Sequence, residues 1–296
     1  MELKIARGKL PQAAIPILSE MPMETAKELY FGEACPDAIW LVAFEKEEPA
    51  GIALLLTEEG EDTGYLHLYI REKHRSKGIG SALASQMIQK ARELGLFQIL
   101  SDYCVDMGVR EKAESFAFKF GFQGQFVSRY MVYKGGYLPE PALKFVPYRE
   151  EYFDEMYRLI SNAFYPMREA NHLEPYRFTW GKTERREFAE HALDFFLLFE
   201  NGEMIASGYA SGGEIDQVAV REDCRGRGLG RAIVCHGVNQ LLRKGFQQVS
   251  LYVLEWNRLA WSLYESLGFV TYSKRMFGKI DLSPSMLAGL CAKLTR

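Results

Sequence analysis

The stretch that decides the fold is RGRGLG at residues 225–230, and a related stretch, RSKGIG, stands earlier at residues 75–80. Each follows an apolar segment and opens an amphipathic one, which predicts a glycine turn between a strand and a helix. Glycine lets the backbone approach a ligand closely, and the first amides of a helix lack internal acceptors and carry partial positive charge. Because such a turn favours a bound phosphate, the sequence predicts two phosphate-binding turns.

A Gly-Phe pair after each turn indicates that the two stretches belong to an internal repeat. Gly121 stands 43 positions after Gly78, Gly268 stands 40 positions after Gly228, and each is followed by phenylalanine. The difference of three residues fits a loop of different length. A repeat unit of about 140 residues has the size of an ordinary single domain, which predicts tandem domains and not a solenoid.

The order of predicted elements also repeats. In each half, helical segments precede a hairpin of apolar strands, a third strand, the glycine turn with its helix, another strand, a short helix and a last strand. The Gly/Pro-rich segment 135–141 stands where the repeat needs a boundary. We therefore expect an α/β (α+β) protein of two domains, 1–135 and 142–296, each a mixed central sheet flanked by helices.

The composition is typical of a globular protein with enough apolar residues for two cores, at 48% hydrophobic and 13% aromatic. The net charge of −3 includes no basic excess of the kind that nucleic-acid binding needs. Five scattered cysteines without a C-x-x-C pair favour a reducing compartment, so we expect a cytoplasmic protein. The sequence shows neither a secretion signal nor an apolar run of membrane-spanning length, so no membrane partner is expected.

A second block of residues follows the glycine turn of the second half. Together with that turn, the positions concerned are Val220, Arg225, Gly228, Gly230, Asn257, Ala260, Leu263, Tyr264, Gly268 and Phe269. They resemble the signature of the GNAT superfamily of acyl-CoA-dependent N-acyltransferases: a strand, R/Q-x-x-G-x-G/A, a helix, and later N-x-x-A-x-x-L-Y-x-x-x-G-F. The first half resembles the family only at its glycine turn and at Gly121 and Phe122. The whole arrangement resembles tandem members such as mycothiol synthase, in which the C-terminal domain is catalytic.

The resemblance implies acetyl-CoA as the acyl donor and no metal. Amides of the glycine turn would bind its pyrophosphate, and strand backbone would pair with its pantetheine arm as with an added strand. The implied cofactor-binding residues are Val218, Val220, Arg225, Gly226, Arg227, Gly228, Leu229, Gly230, Arg231 and Asn257. For Asn257, capping of the following helix is the alternative role.

The resemblance also implies a catalytic pair. An amine attacks the thioester directly, so the protein has to remove a proton from the amine and protonate the departing thiolate. Tyr264 stands where the family places its general acid, with a core aromatic as the alternative role. Glu214 stands where some members place their general base, and its alternative is turn chemistry. Asp216, on the same face of the predicted strand, is the rival base.

The corresponding positions of the first half carry no such groups. They are Gly64 for the base, Ala117 for the acid and Arg110 for the asparagine. Glycine and alanine cannot transfer protons, so we expect the first domain to be non-catalytic, with its phosphate turn retained. The residues that could substitute are His67 or Tyr65 as a base and Tyr103 or Tyr130 as an acid.

The sequence thus predicts an N-acetyltransferase that moves an acetyl group from acetyl-CoA to a primary amine of a small molecule or peptide. A non-catalytic acyl-CoA-binding or scaffold protein is the alternative. The acceptor pocket is expected in a long segment that could equally be a solvated loop and contains Arg168, Glu169, His172, Glu174, Tyr176 and Trp180. The histidines show no metal-ligand spacing, and Cys224 and Cys235 lack a sequence partner for a nucleophilic role.

Overall fold

The computed structural model describes residues 1–283 except 22–25, 27–28, 30–31, 33–34, 58–61, 106–109, 172 and 174. The chain divides into two compact units. The first unit comprises Met1–Gln125 and the described residues from Met276 onward, and the second comprises Phe126–Arg275. Each unit contains one glycine turn and the helix that follows it, as the repeat predicts.

The first unit is a mixed sheet with the helix of the glycine turn packed on it. Its elements are β1 (Glu2–Arg7), α1 (Ile15–Leu18), β2 (Ile39–Glu45), β3 (Glu48–Thr57), β4 (Thr63–Ile70), α2 (Ile79–Glu93), β5 (Gln98–Cys104) and α3 (Arg110–Lys119). Strands β1 to β4 pair antiparallel in sequence order, and β4 pairs parallel with β5. Helix α2 buries Ile79, Leu83 and Met87 at a spacing of four residues, which places one apolar stripe against the sheet.

The second unit repeats this arrangement. Its elements are α4 (Phe153–Ala170), α5 (Lys182–Glu190), β7 (Phe195–Glu200), β8 (Glu203–Ser211), β9 (Glu214–Val220), α6 (Leu229–Arg243), β10 (Val249–Leu254) and α7 (Arg258–Ser266). The strand order is β10, β9, β8, β7, with β9 and β10 parallel. One core lies between the sheet and α6, and a second core, rich in aromatic rings, contains residues of α4 and α5.

Two long strands extend across the boundaries of these units. Strand β6 (Phe122–Tyr133) begins in the first unit and ends in the second, where it pairs antiparallel with β10. Strand β11 (Val270–Asp281) begins in the second unit and ends in the first. The compact units therefore differ in their bounds from the predicted domains 1–135 and 142–296, because the last strand of each predicted domain is divided between both units.

The segment predicted as a linker, 135–141, is bound to α6 of the second unit. The side chain of Asn239 accepts a hydrogen bond from the Leu138 amide (2.8 Å) and donates one to the Leu138 carbonyl (2.9 Å). Arg243 of the same helix donates to Glu140 (2.6 Å). Since Asn239 is buried, these bonds fix the segment against the helix.

The predicted fold class is confirmed, since each unit is a mixed sheet flanked by helices. Within the described part of the chain, no helix combines the length and the apolar character that crossing a membrane requires.

Candidate functional site

The glycine turn of the second unit joins β9 to α6 and has an open side. Gly226 and Gly228 have φ values of +77° and +79°, in the left-handed region that favours glycine. Gly228 is the N-cap of α6, so the unsatisfied amides of the helix begin directly after it. A Cβ atom built on Gly228 would meet no other heavy atom within 4 Å. The turn therefore offers helix-terminal amides and room for an anion beside them.

Ion pairs connect this turn to the hairpin between β7 and β8. Arg227 binds Glu200 through two hydrogen bonds of 2.6 and 3.0 Å, and Arg221 binds Glu203 at 2.7 Å. Arg227, predicted from the sequence to bind the cofactor, thus has its charge balanced by a carboxylate. Arg225 has no carboxylate within 4 Å among the described residues and is exposed, so it is the cation of the turn available to a phosphate.

A β-bulge interrupts β9 between Asp216 and Ala219. Tyr209 of β8 is opposite Asp216 and Ser207 is opposite Ala219, so β9 carries one residue more than its partner. Gln217 takes a φ of +50°, which is unusual for a side chain without special local bonding. Its amide donates to the Asp216 carboxylate at 2.7 Å, and this local bond supports the bulge.

The bulge changes which face of the sheet each residue occupies. Before it, Ile215 is buried in the core under α6, and after it Ala219 is buried in the core of α4 and α5. In an unbroken strand, residues four apart share a face. Val218 and Val220 pack against the α6 core after the bulge. Of the two β9 residues for which pantetheine contacts are predicted, Val218 lies within the bulge, whereas Val220 is again paired with Ala206 of β8.

Strands β9 and β10 pair over a very short distance. Glu214 opposite Ser250 is the one registered pair between these two fully described strands, and the Ser250 amide donates to Gly213 at 2.9 Å. Beyond that level the two strands do not form a regular ladder. Continuing the register places Tyr252 of β10 level with Asp216. Next to Asp216, β9 and β10 therefore no longer pair with each other.

Tyr264 lies on α7. Its side chain is 8% exposed and packs in the α6 core with Phe269, at a ring-centroid distance of 6.0 Å. Burial raises the pKa of Tyr264 to about 12, and the negative charge of Asp216 contributes to the increase. The phenol is therefore protonated at neutral pH, and its role as a proton donor stays a prediction.

The side chain of Asp216 is exposed at the surface, but protein atoms around it replace part of its hydration shell. Loss of hydration raises the pKa of its carboxyl, and the hydrogen bond from the Gln217 amide opposes part of this increase. A carboxylate with a raised pKa is a better proton acceptor than an ordinary aspartate. Glu214, the first-ranked base from the sequence, is half-buried at the start of β9, whereas Asp216 is the carboxylate whose charge reaches Tyr264.

Asn257 forms the N-cap of α7. Its side-chain oxygen accepts a hydrogen bond from the Ala260 amide at 3.2 Å, which is the alternative role given to it from the sequence. A contact between its amide group and a pantetheine arm stays a prediction. Arg231, another predicted cofactor ligand, donates to the Ser266 hydroxyl at 2.5 Å.

The corresponding region of the first unit is closed. Strands β4 and β5 form three consecutive parallel pairs, and the Ser101 hydroxyl then donates to the Leu66 carbonyl at 2.8 Å. A Cβ atom at Gly64 would lie 2.8 and 2.9 Å from the side chains of Leu96 and Leu55. Leu66, at the position of Asp216, is buried in the apolar core. No space is left here for a carboxylate at either predicted position.

The structure places the four alternatives considered for the first unit in different surroundings. Tyr103 packs edge-on against Phe122 in the core, with ring centroids 5.4 Å apart. Tyr130 lies in the second unit. His67 and Tyr65 lie on β4, and Tyr65 is exposed. That Ala117 and Gly64 have no local substitutes stays a prediction.

The segment expected to hold the acceptor pocket is largely occupied with internal contacts. Arg168 donates to the Pro175 carbonyl at 2.7 Å and its guanidinium lies 5.0 Å from the centre of the Phe178 ring. Trp180 stacks on Phe178 at 5.2 Å, and Glu169 accepts a bond from the Tyr165 hydroxyl. The predicted residues His172 and Glu174 lie outside the described residues.

The described residues include no cluster of three or more histidine, cysteine or acidic side chains arranged to hold a metal ion. Cys224 and Cys235 are buried, and the Cys224 sulfur accepts from Arg221 and Arg227 at 3.6 and 3.5 Å.

A groove next to the turn opens between α4 and the C-terminal end of β9. Its volume is about 920 Å³, and its lining includes Leu159 and Asn162 from α4 and Val220 and Arg225 from the start of the turn. The groove adjoins the open side of the phosphate-binding turn.

Comparison with known proteins identifies relatives over most of the chain. The model of the acetyltransferase (GNAT) family matches residues 12–122 and 153–269. A mycothiol acetyltransferase of Amycolatopsis mediterranei is 27% identical over 297 residues, covering 86% of this chain and 94% of the relative. One of Renibacterium salmoninarum is 27% identical over 245 residues, covering 75% and 69%.

Solved structures resemble the whole chain at low sequence identity. A GCN5-related N-acetyltransferase from Sphaerobacter thermophilus has a TM-score of 0.73 at 19% identity, covering 95% of this chain and 96% of its own. A tandem GNAT protein from the clavulanic acid biosynthesis pathway has a TM-score of 0.65 at 16% identity, covering 96% and 99%. At these identities the likeness concerns the fold alone.

Proposed function

The chain belongs to the acetyltransferase (GNAT) family and is a tandem N-acetyltransferase, and we propose that its second unit alone performs acetyl transfer from acetyl-CoA to a primary amine. The observation that carries the proposal is that β9 and β10 share one registered pair, Glu214 with Ser250, with Asp216 just beyond it on β9, where its charge contributes to the raised pKa of Tyr264. The first unit has a phosphate-binding turn but lacks both groups. We propose a non-catalytic role for it, within the division 1–135 and 142–296 that the repeat predicts.

The open side of the glycine turn fits the pyrophosphate of acetyl-CoA. Amides from Gly226 to Arg231 and the exposed Arg225 supply donors and positive charge there. Val218 and Val220 lie on β9 beyond its one registered pair with β10, so a pantetheine arm can add as a short strand on that side. Bound in this way, acetyl-CoA supplies a thioester whose carbonyl carbon is the electrophile.

The chemistry needs one proton acceptor and one proton donor. A free alkyl ammonium has a pKa of about 10, so the amine has to lose a proton before it attacks. Asp216 takes that proton, directly or through water, and its raised pKa suits the task. The amine nitrogen then forms the C–N bond as the C–S bond breaks, and Tyr264 donates its proton to the departing thiolate. The nitrogen loses its second proton, which restores the Tyr264 phenol, and Asp216 releases the first proton to solvent. Glu214 is the rival for the base.

The acceptor is proposed to be the amine of a small molecule. Relatives that match 86% and 75% of the chain are named mycothiol acetyltransferases, which favours a small-molecule acceptor over a peptide. The test is the release of free thiol from acetyl-CoA in the presence of a panel of small amines and of amine-bearing peptides. We expect thiol release that depends on a small amine. Binding of acetyl-CoA without turnover on any amine would contradict the proposal.

A further inference from the structure

Three tyrosine rings form a shelf on the sheet of the second unit. Tyr130 of β6 stacks at an angle on Tyr252 of β10, with ring centroids 4.9 Å apart, and Tyr272 of β11 meets Tyr130 edge-on at 6.2 Å. Tyr130 is 4% exposed, whereas Tyr252 and Tyr272 are 42% and 61% exposed. Two accessible rings are therefore held by a buried third. We call these three residues the tyrosine shelf.

The shelf lies beside Asp216. Tyr252 is level with Asp216 in the register set by Glu214 and Ser250. Its neighbours Leu251 and Val253 are buried in the core under α6, so alternation puts Tyr252 on the opposite face of the sheet. Asp216 likewise follows Ile215, which is buried in the same core, and therefore shares the face of Tyr252. An amine approaching Asp216 from this face meets the shelf.

Tyrosine rings present a flat apolar surface with a negative face and a polar hydroxyl. Such rings stack on other flat rings. An amine arrives as an ammonium, so the Asp216 carboxylate attracts it, while a ring of the acceptor next to the amine can stack on the exposed tyrosines. We propose that the tyrosine shelf binds the acceptor and that the acceptor carries its amine next to a ring, either a saccharide or an aromatic one. This proposal rests on the proposed function.

The first unit provides an internal contrast. The position level with Leu66 on β5 is Ser101, whose hydroxyl bonds to the neighbouring strand. Thus the unit with a proton acceptor has an exposed ring across from it, and the unit without an acceptor has a small residue that closes the sheet. The Tyr252 ring and the Asp216 carboxylate thus occur together in the second unit, and the first unit has neither at the matching positions.

The test uses Tyr252→Leu and Tyr272→Leu in the full chain, with glucosamine, phenethylamine and butylamine as acceptors. Leucine keeps apolar bulk but removes the ring, and stacking of this kind is worth a factor of roughly two to ten in binding. We expect KM to rise by that factor for the ring amines, with KM for acetyl-CoA and kcat unchanged. Butylamine, which has no ring, should be little affected. Tyr137→Leu, at an exposed tyrosine outside the shelf, is the control.

The pattern across acceptors distinguishes the possible outcomes. A KM increase confined to glucosamine identifies a saccharide ring, and one confined to phenethylamine identifies an aromatic ring. Equal effects on all three amines, or none, would overturn the shelf while leaving acetyl transfer intact. If no amine is turned over, saturation-transfer NMR of the ring amines on wild type and Tyr252→Leu still decides, since loss of the signal in the variant supports the shelf and an unchanged signal refutes it. If sedimentation shows that wild type is a dimer and that Tyr252→Leu is a monomer, the shelf is a dimer interface and not an acceptor site, which would also refute the proposal.

Discussion

The two glycine turns have nearly the same backbone, but the strands beside them differ. Gly78 and Gly228 have φ values of +82° and +79°, and each caps a helix of 15 residues. The preceding hairpin holds each turn with equivalent ion pairs, Glu45 with Lys77 in one copy and Glu200 with Arg227 in the other. Phosphate binding requires only these shared features.

The difference lies one strand away from the turns. β9 contains an extra residue and pairs with β10 at one position, whereas β4 keeps a regular register with β3 and pairs with β5 at three. The second unit, in which β9 and β10 separate, has Asp216 and Tyr264. At the corresponding positions the first unit has Leu66 and Ala117. Under the proposed function, catalytic capacity in this repeat depends on the opening of the sheet and the groups beside it, and not on the turn.

The largest effect is expected from Tyr264→Phe, which removes the proposed proton donor. We expect kcat to fall by a factor of about 10² while the affinity for acetyl-CoA barely changes, since only the transition-state step uses the proton. Because the Tyr264 pKa is about 12, the wild-type rate should show no loss from its deprotonation up to about pH 11. Steady-state kinetics over pH measures both effects.

Tyr133→Phe is the matched control, since Tyr133 is a buried tyrosine of the same core. It should leave kcat nearly unchanged. A Tyr264→Phe variant as fast as wild type at every pH would remove this residue from the mechanism and make its burial a matter of packing alone.

A smaller effect, roughly tenfold to a hundredfold in kcat, is expected from Asp216→Asn. In the wild type, activity should decline as pH falls through the raised pKa of Asp216, at a pH above the range of an ordinary aspartate. A pH–rate profile of Asp216→Asn beside Glu214→Gln tests this. If the decline in activity at low pH disappears in Glu214→Gln but persists in Asp216→Asn, Glu214 is the base instead.

The same carboxyl gives a prediction for stability. A folded-state pKa raised above the unfolded value means that folding favours the protonated form, so this group's stabilising contribution is present at low pH and is lost as pH rises through the folded pKa. Asp216→Asn should therefore raise Tm relative to wild type more at pH 7 than at pH 3.5. An opposite trend in thermal denaturation would contradict the direction of the pKa shift.

The smallest effect is expected from the ion pair that holds the catalytic turn. Glu200→Gln weakens an exposed pair worth about 0.2–1 kcal/mol, so the KM for acetyl-CoA should rise by no more than about fivefold, with kcat preserved. Glu45→Gln makes the equivalent change in the first copy and should leave KM and kcat unchanged. Equal effects of the two substitutions would show that both turns contribute to turnover.

Much of the fold could be predicted because its signals are local. The periodicity of α2 and α6, the turns at Gly78 and Gly228 and the alternation of the hairpin strands each follow from a few neighbouring residues. The bounds of the units could not, because the partners of β6 and β11 depend on contacts between residues distant in sequence. The docking of 135–141 depends in the same way on Asn239, about 100 positions later.

The candidate site could be predicted in part for the same reason, since Tyr264 and the turn belong to local motifs; their roles stay predictions. The preference for Asp216 over Glu214 depends on a bulge at Gln217, a residue whose type carries no signal for a left-handed conformation. Tyr252 was missed because its relation to Asp216 exists only through the register of β9 and β10.

The central claim is that one copy of the repeat performs the chemistry, and acetyl transfer by Gly78→Val and Gly228→Val tests it most directly. Both substitutions place a branched side chain at a φ near +80°, so they carry the same backbone strain. With folding checked by circular dichroism, we predict that Gly228→Val abolishes turnover and acetyl-CoA binding by the second unit, while Gly78→Val keeps the rate per folded molecule largely intact. A folded Gly78→Val variant that has lost turnover, while its second unit still binds acetyl-CoA, would contradict the account.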